Sequence, residues 1–398
     1  MNQLNGFMGN NYCYIASAGA GKTTFVVKDA HNKASLTTKK IAIVTFTSHN
    51  QNNERQKYID IYKHIPQNLI IIGWYTFLLE YFIRPFKGDI IEHLYDRHTS
   101  LAFVAPYSKK IAGHKIVHYN RGDLKAKFLT SDNNIYKDYL AEFAFECIKR
   151  NRTIIKNRIS QIFDTIYFDE SQDFCGYDFE IIKSLLKNQS VNFIITTDPR
   201  QHTYSSSNNT KYKRYKGRID LFCEELLNNK QKTYISIDKT KFIYSHRCNA
   251  SICEFSSLIH SEFPATIPCC CDSCQKRKSY FLKEQGVFLV FKRDASSFVD
   301  YYNATILTYN NNVKVNATNL RYNFGECKGD EFESVVIYPT DDILKWLKEE
   351  IVLKPITRAK FYVAVTRALF CIGIVIPDSF KHNRFNLPTW SNKLLLND

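Results

Sequence analysis

The stretch Tyr14 to Thr24, YIASAGAGKTT, constrains the fold more than any other part of the chain. An apolar run breaks into a loop of small residues that ends in Gly-Lys-Thr-Thr. Gly19 and Gly21 let backbone N–H groups turn inward on an anion, and a helix from about Thr24 to Ala30 aims the positive end of its dipole at the same place. The spacing therefore predicts a strand–loop–helix phosphate cradle formed by Ala18, Gly19, Ala20, Gly21, Lys22, Thr23 and Thr24. In it Lys22 would reach the β- and γ-phosphates of ATP, and Thr23 would offer its hydroxyl to Mg²⁺. Ala16 stands where G-x-x-x-x-G-K-[ST] has its first glycine. Taken alone, the stretch also reads as a small-residue turn between a strand and a helix.

A cradle of this kind belongs in a parallel α/β sheet, and the chain supplies suitable strands: Ile41 to Phe46, Leu69 to Gly73, Thr165 to Glu170 and Phe193 to Asp198. Continuous apolar strands that end in Thr or Asp and alternate with helices indicate a parallel sheet covered on both faces, which binds ligands at its carboxyl edge. The interval 85–158 breaks the pattern. It is basic, aromatic and rich in His, contains a predicted helix over Tyr136–Arg150, and reads as an inserted helical subdomain. Ser205 to Lys216 is polar and reads as a linker. A second alternating block follows, with strands at 234–237, 287–291, 304–309, 334–339 and 370–376 and a helix from Asn249 to His260. The expected domains are 1–84 with 159–210, the insertion 85–158, and 211–398.

About 150 residues after the loop, YFDESQD closes an apolar strand with Asp169 and Glu170. Acids at the ligand edge of the sheet suit nucleotide hydrolysis, with Asp169 holding Mg²⁺ and Glu170 orienting or deprotonating the attacking water. Lys plus Arg outnumber Asp plus Glu by 54 to 39, a net charge of +15 that favours a polyanionic partner. No apolar run approaches the roughly 18 residues of a membrane span, and Met1 to Gly9 lacks the order of a secretory signal, so a cytoplasmic protein without a membrane partner is expected. The twelve cysteines lie mostly in apolar segments, where a reduced thiol packs as a small hydrophobe.

These pieces, in this order, resemble the superfamily 1 helicases of the UvrD/Rep type. Thr45 to Tyr58 is similar to the first DNA-contact motif of that family, and Gly73 to Phe86 to the segment after it. TTDPRQHTY, ending at Tyr204, resembles the G-D-x-x-Q-x-I-Y sensor, which implies Gln201 at the γ-phosphate and Tyr204 beside a base. YSHRCN carries Arg247 where the family has the arginine of N-Y-R-S. Lys328, Gly329 and Glu331 fall on K-G-L-E-F, which implies Glu331 at the ribose, and VAVTRA carries Arg367 as a second phosphate-reaching arginine. The matches span roughly residues 12 to 376. The resemblance implies two RecA-like parallel-sheet domains flanking an ATP cleft, and an ATP- and Mg²⁺-dependent motor moving 3′ to 5′ on single-stranded DNA. Arg247 and Arg367 from the second half would stabilise charge on a phosphate held by the first.

The chain departs from the family at Asn323 and Gly325, where Thr and His are usual, and at its start, where only Gln3 is available as an adenine reader. Only about 80 residues separate Arg247 from Lys328, where long members insert an accessory subdomain. The chain in this respect resembles compact members such as the GajB-type helicase of the Gabija anti-phage system. That comparison carries a second functional class, a DNA- or nucleotide-sensing ATPase that regulates a partner nuclease of the OLD type without productive unwinding.

Lys211 to Arg218, KYKRYKGR, places five basic residues and two tyrosines in eight positions, a composition suited to tracking phosphates and stacking bases of a single strand. Trp74 and Tyr75 are further stacking candidates, and Lys149 to Arg158 extends the basic path. Cys269, Cys270, Cys271 and Cys274 contain half a zinc site in the C-x-x-C at 271 and 274. Completing it needs help from elsewhere, for which Cys253 and His260 are candidates. A reduced exposed loop and a redox switch are the other readings.

Overall fold

In a computed structural model of the chain, the described residues are 11–391 apart from 107, 112, 113, 118–122, 204–210, 228–233, 312 and 314–318. They group into two compact units. The first takes the chain up to Ile15, Thr23–Pro199 and the stretch ending at Asp238, and the second takes Ala16–Lys22, Arg200–Thr203 and the chain from Lys239 onward.

The first sheet consists of β1 (Tyr12–Ala16), β2 (Lys40–Thr45), β3 (Leu69–Gly73), β4 (Phe163–Phe168), β5 (Asn192–Thr197) and β6 (Ser236–Phe242), in the order β6-β1-β5-β4-β2-β3. Its inner strands are parallel and buried almost end to end, which is why their sequences are continuous apolar runs. Register lines up Cys13, Ile195, Phe168, Val44 and Ile72 across five strands. The residues that follow β4 and β5, Asp169–Glu170 and Asp198, therefore emerge at one edge. Buried Asn11 ties three segments together: its Nδ2 donates to the carbonyls of Tyr234 (2.9 Å) and Leu186 (3.3 Å), and its Oδ1 accepts from the Phe193 N–H (2.9 Å).

Three expectations change here. The strand read at 234–237 as the start of the second block is β6, and it belongs to the first sheet, where the Ser236 N–H donates to the Asn11 carbonyl. Residues 211–227 also pack in the first unit, because Tyr215, Ile219, Phe222, Cys223 and Leu227 enter its hydrophobic core. The interval 85–158 lacks a separate core among the described residues. Its helix Leu140–Arg150 buries Leu140, Phe143, Ala144, Cys147 and Ile148, a stripe at helical spacing, in the same core as the strands. Ile155 and Ile159 of the helix Arg152–Ile162 join them.

The second sheet consists of β7 (Gly286–Phe291), β8 (Thr305–Thr308), β9 (Arg321–Asn323), β10 (Phe332–Tyr338), β11 (Ala368–Ile376) and β12 (Thr389–Trp390), in the order β9-β8-β10-β11-β7-β12 with every pairing parallel. Helices cover it. Asn249 caps the helix Ala250–Ile259 by accepting the Ile252 N–H (3.0 Å). The helix Ala295–Tyr302 lies close on β11, where a Cβ at Gly373 would stand 2.6 Å from the Phe298 ring. Two six-stranded parallel sheets with flanking helices are the α/β architecture expected from the sequence. No helix among the described residues is long and apolar enough to cross a membrane.

Candidate functional site

In the first unit, the helix Lys22–Ala34 follows the glycine loop and places Thr23 in its first turn, while Asp169 leaves the end of β4. The Thr23 hydroxyl donates to Asp169 Oδ2 at 3.2 Å, which brings together residues 146 positions apart. The other carboxylate oxygen, Oδ1, accepts from the Thr196 hydroxyl at the end of β5, which fixes the plane of the carboxylate. A hydroxyl and a carboxylate are hard oxygen donors that fit Mg²⁺.

Glu170 adopts the left-handed conformation (φ 55°, ψ 40°), which is uncommon for a residue with a side chain. Its Oε2 accepts from Gln172 Nε2 at 2.5 Å. Gln172 Oε1 in turn accepts from the Thr197 hydroxyl (3.3 Å) and the Asp198 N–H (3.2 Å), so this amide ties Glu170 to the end of β5.

Glu54 is a member of this group that the sequence reading missed. It lies in the helix Ser48–Tyr62, is 1% exposed, and neither of its oxygens meets a donor among the described residues. Burial first, and then the neighbouring Asp169 carboxylate, push its carboxyl well above the ordinary glutamate value. Both effects favour the protonated form of Glu54 over the ionised one. Within Thr45–Tyr58 the only sequence signal for it is an acid on a helix whose other buried residue is Tyr58.

In the second unit, the loop from Ala16 to Lys22 turns through Gly19 (φ +70°) and Gly21 (φ +82°). Only glycine fits at 19, since a Cβ there would lie 2.5 Å from Arg247 Cβ and 2.8 Å from Ser245 Oγ. The Gly19 carbonyl accepts from the His246 N–H (2.9 Å). Arg200, buried and not singled out from the sequence, donates through Nη2 to the Ala16 carbonyl (2.8 Å) and the Ser17 hydroxyl (3.1 Å), and its guanidinium lies over Tyr362 and Phe263. The Tyr362 hydroxyl accepts from the Ala18 N–H at 3.4 Å. Ala18, Ala20 and Lys22 are buried.

Arg247 and Arg367 come close enough for their charges to oppose each other. Arg367 is 2% exposed; burial, and then the charge of Arg247, pull its guanidinium down to about 10, so it remains protonated at neutral pH. Its Nη2 reaches Gln201 Oε1 at 3.5 Å. Arg247 pairs with Glu331 (2.8 Å) and donates to the Thr366 carbonyl (3.1 Å). Burial alone would raise the Glu331 carboxyl, but the Arg247 charge and hydrogen bond outweigh it and hold the group below its ordinary value. Two arginines beside a loop that can accept an anion form a strongly positive site.

Other expected contacts lie elsewhere. Trp74 is a core residue, fully buried, with its indole N–H donating to Asp178 Oδ1 at 2.8 Å, and Tyr75 is half-buried against Phe46. Trp74 therefore offers no face for a base. In 211–218 both tyrosines pack around Phe222, Tyr215 being buried, and both hydroxyls donate to acids. Lys211 pairs with Glu180 (3.0 Å), Arg214 with Glu225 and Arg218 with Asp220 (2.6 Å). Lys213 and Lys216 are exposed, and neither pairs with an acid among the described residues. In 149–158, Arg152 and Lys156 are exposed and line a groove with Phe82 and Lys187. Tyr204 and Gln3 lie outside the described residues.

No family model matches the chain, and no curated protein matches it. Among solved structures, the nonstructural protein 10 helicase of an arterivirus superposes with a TM-score of 0.40 at 13% identity, covering 92% of this chain and 59% of that one. The same viral helicase in complex with DNA gives 0.42 at 13% identity, covering 92% and 61%. The Pif1 helicase from Candida albicans gives 0.40 at 10% identity, covering 97% and 94%. The chain thus spans about three fifths of the length of the arterivirus proteins.

Proposed function

We propose that the chain is an ATP-hydrolysing motor of the helicase and translocase class that moves 3′ to 5′ on single-stranded DNA. The observation that carries the reading is the hydrogen bond between Thr23 and Asp169, because it brings the hydroxyl after a glycine loop to the acid at a strand end, the pair that nucleotide hydrolysis with a divalent cation requires. Thr23 and Asp169 would hold Mg²⁺, which when bound neutralises charge on phosphate oxygens. Ala18 to Thr24 would present backbone N–H groups to the phosphates, and Lys22 would add a charge there. Glu170, aimed by its left-handed backbone and by Gln172, would accept the proton of the attacking water. Arg247 and Arg367 would oppose the negative charge that develops in the transition state, with Gln201 beside Arg367. Glu331, expected at the ribose, holds Arg247 here, so a nucleotide would compete for both partners.

A DNA substrate is supported by the net charge of +15 and by the exposed Arg152 and Lys156. A second reading, an ATPase of a defence system that senses DNA or nucleotide and regulates a partner nuclease, is favoured by one observation: the tyrosines of 211–218 are packed away and three of its five cations are paired, leaving the tract without stacking groups for strand tracking. ATPase measured with and without single-stranded DNA tests the motor. Stimulation by DNA is expected, with loss of turnover in Lys22→Ala and retained ATP binding without turnover in Glu170→Gln. Turnover of Glu170→Gln at the parent rate would remove the assigned base. Translocation along single-stranded DNA by the protein alone separates the two readings.

A further inference from the structure

The segment that carries Arg247 also carries His246, and His246 meets the cysteine tract. One ligand atom from each of His246, Cys269, Cys271 and Cys274 lies within 4.8 Å of all the others. Zn–S bonds of about 2.3 Å and Zn–N bonds of about 2.0–2.1 Å place neighbouring ligand atoms of a tetrahedral site about 3.6–3.8 Å apart. Cys274 Sγ and His246 Nδ1 already stand at 3.7 Å. We propose that these four residues bind one zinc ion in a closed Cys₃His site, which holds the backbone of His246 and Arg247 against the loop 16–22.

Each ligand is placed by backbone structure. A short parallel pairing sets Tyr244–Ser245 beside Ile267–Pro268, and the Cys269 N–H donates to the Ser245 carbonyl (2.8 Å), which brings the first thiol alongside His246. Cys271 stands at the N-cap position of the helix Asp272–Ser279, and Cys274 follows three residues later, so the two side chains share one face at its start. Cys269 and Cys274 are buried and Cys271 and His246 are exposed, so the cluster is half-closed with a path for an ion to enter. The expected helpers do not take part. Cys253 Sγ points to the Cys248 carbonyl, and His260 Nδ1 pairs with Glu262 at 3.1 Å. The tract is likewise not simply an exposed loop, since two of its four thiols are inside.

Three thiols and an imidazole select a soft or borderline ion, and the tetrahedral, closed set fits structural zinc rather than the hard cations that prefer oxygen. Three thiolates around Zn²⁺ leave one net negative charge. Basic residues of the same helix stand beside it: Arg277 donates to the His246 and Arg247 carbonyls, and Lys278 to the Cys269 carbonyl (3.4 Å). The His246 N–H donates to Gly19, and the Cβ that Gly21 lacks would touch the His246 ring at 3.7 Å. A metal on that ring would restrict the segment that presents Arg247. This positioning role, unlike the metal site itself, rests on the proposed reading of the loop as a phosphate site.

The test uses the full chain purified under reducing conditions without chelator. Elemental analysis should find about one zinc per chain, retained in Cys270→Ser and lost in Cys269→Ser and Cys274→Ser. Because the serine variants can misfold, cobalt substitution of the parent provides a second measurement, with the visible bands of tetrahedral Co(II) and thiolate charge transfer expected. A parent chain with neither zinc nor that spectrum after reconstitution overturns the site, as does equal zinc in all three serine variants. If zinc is present but its removal leaves kcat unchanged, the positioning role is overturned and the metal site stands. A zinc-loaded chain with no ATPase activity would instead count against the proposed function.

Discussion

At the scale of single residues, the site depends on side chains that hold the expected ones in place. Glu54 holds its proton more tightly in the folded state than in the unfolded chain, where it ionises around the ordinary value of 4.5. The folded form therefore binds the extra proton, and this position costs stability as pH rises from there toward the folded value, by about 1.4 kcal/mol per pH unit across that window. Glu54→Gln is neutral at every pH and should gain on the parent protein as pH increases. Melting curves of both from about pH 4 to 8 check this, and parallel curves would show that Glu54 is ionised when buried. Gln172 is the second such residue. Without its amide, Glu170 keeps its backbone conformation but loses its tether to β5. Gln172→Ala should lower kcat by about tenfold, less than the 10²–10⁴ of an acid–base group itself, with nucleotide affinity unchanged. A change in affinity alone would place Gln172 in binding.

At the scale of elements, 211–218 shows how composition misleads when packing is unknown. Five cations would carry a salt slope of roughly 3.5 at about 0.7 per phosphate. With Lys211, Arg214 and Arg218 paired to acids, two remain, and Lys213→Ser with Lys216→Ser should flatten the slope for single-strand binding by only about 1.4. Arg218→Ser should act on stability instead, since it strips the partner from nearly buried Asp220, at a cost of about 1–3 kcal/mol. Titrating strand affinity against salt, together with denaturant midpoints, separates the two effects. A slope lowered by the full 3.5 when all five cations are replaced by Ser would mean that the ion pairs open on binding.

At the scale of the whole molecule, the interval from Arg247 to Lys328 is fully used. The helices Ala250–Ile259, Asp272–Ser279 and Ala295–Tyr302 and the strands β7, β8 and β9 all lie in it and belong to the second unit. An independent domain takes at least about 50 residues, and no such length is left over. Stepping along one strand needs no surface that grips a duplex, but opening a long duplex does. The protein alone is expected to translocate with DNA-stimulated ATPase and to separate long duplexes poorly. Unwinding amplitude against duplex length is the measurement, and efficient opening of long duplexes would show that existing surfaces suffice.

The sequence by itself determined the parallel sheets, the glycine loop and the acids at the end of β4. Each is a local pattern: a continuous apolar run, a glycine spacing, or a carboxylate placed where a strand must end. Spacing could also say that Thr23 and Asp169 belong together, because the carboxyl edge of a parallel sheet collects such residues. Periodicity marks a residue as buried without saying against what. Only the tertiary structure decided that Glu54 faces Asp169, that Gln172 steadies Glu170, that Trp74 and the tyrosines of 211–218 serve the core, and that β6 pairs with β1. The fourth ligand of the cysteine cluster is the plainest case. Cys253 and His260 are nearer in sequence, yet the pairing of Tyr244–Ser245 with Ile267–Pro268 delivers His246, because strand register rather than chain distance sets which side chains meet.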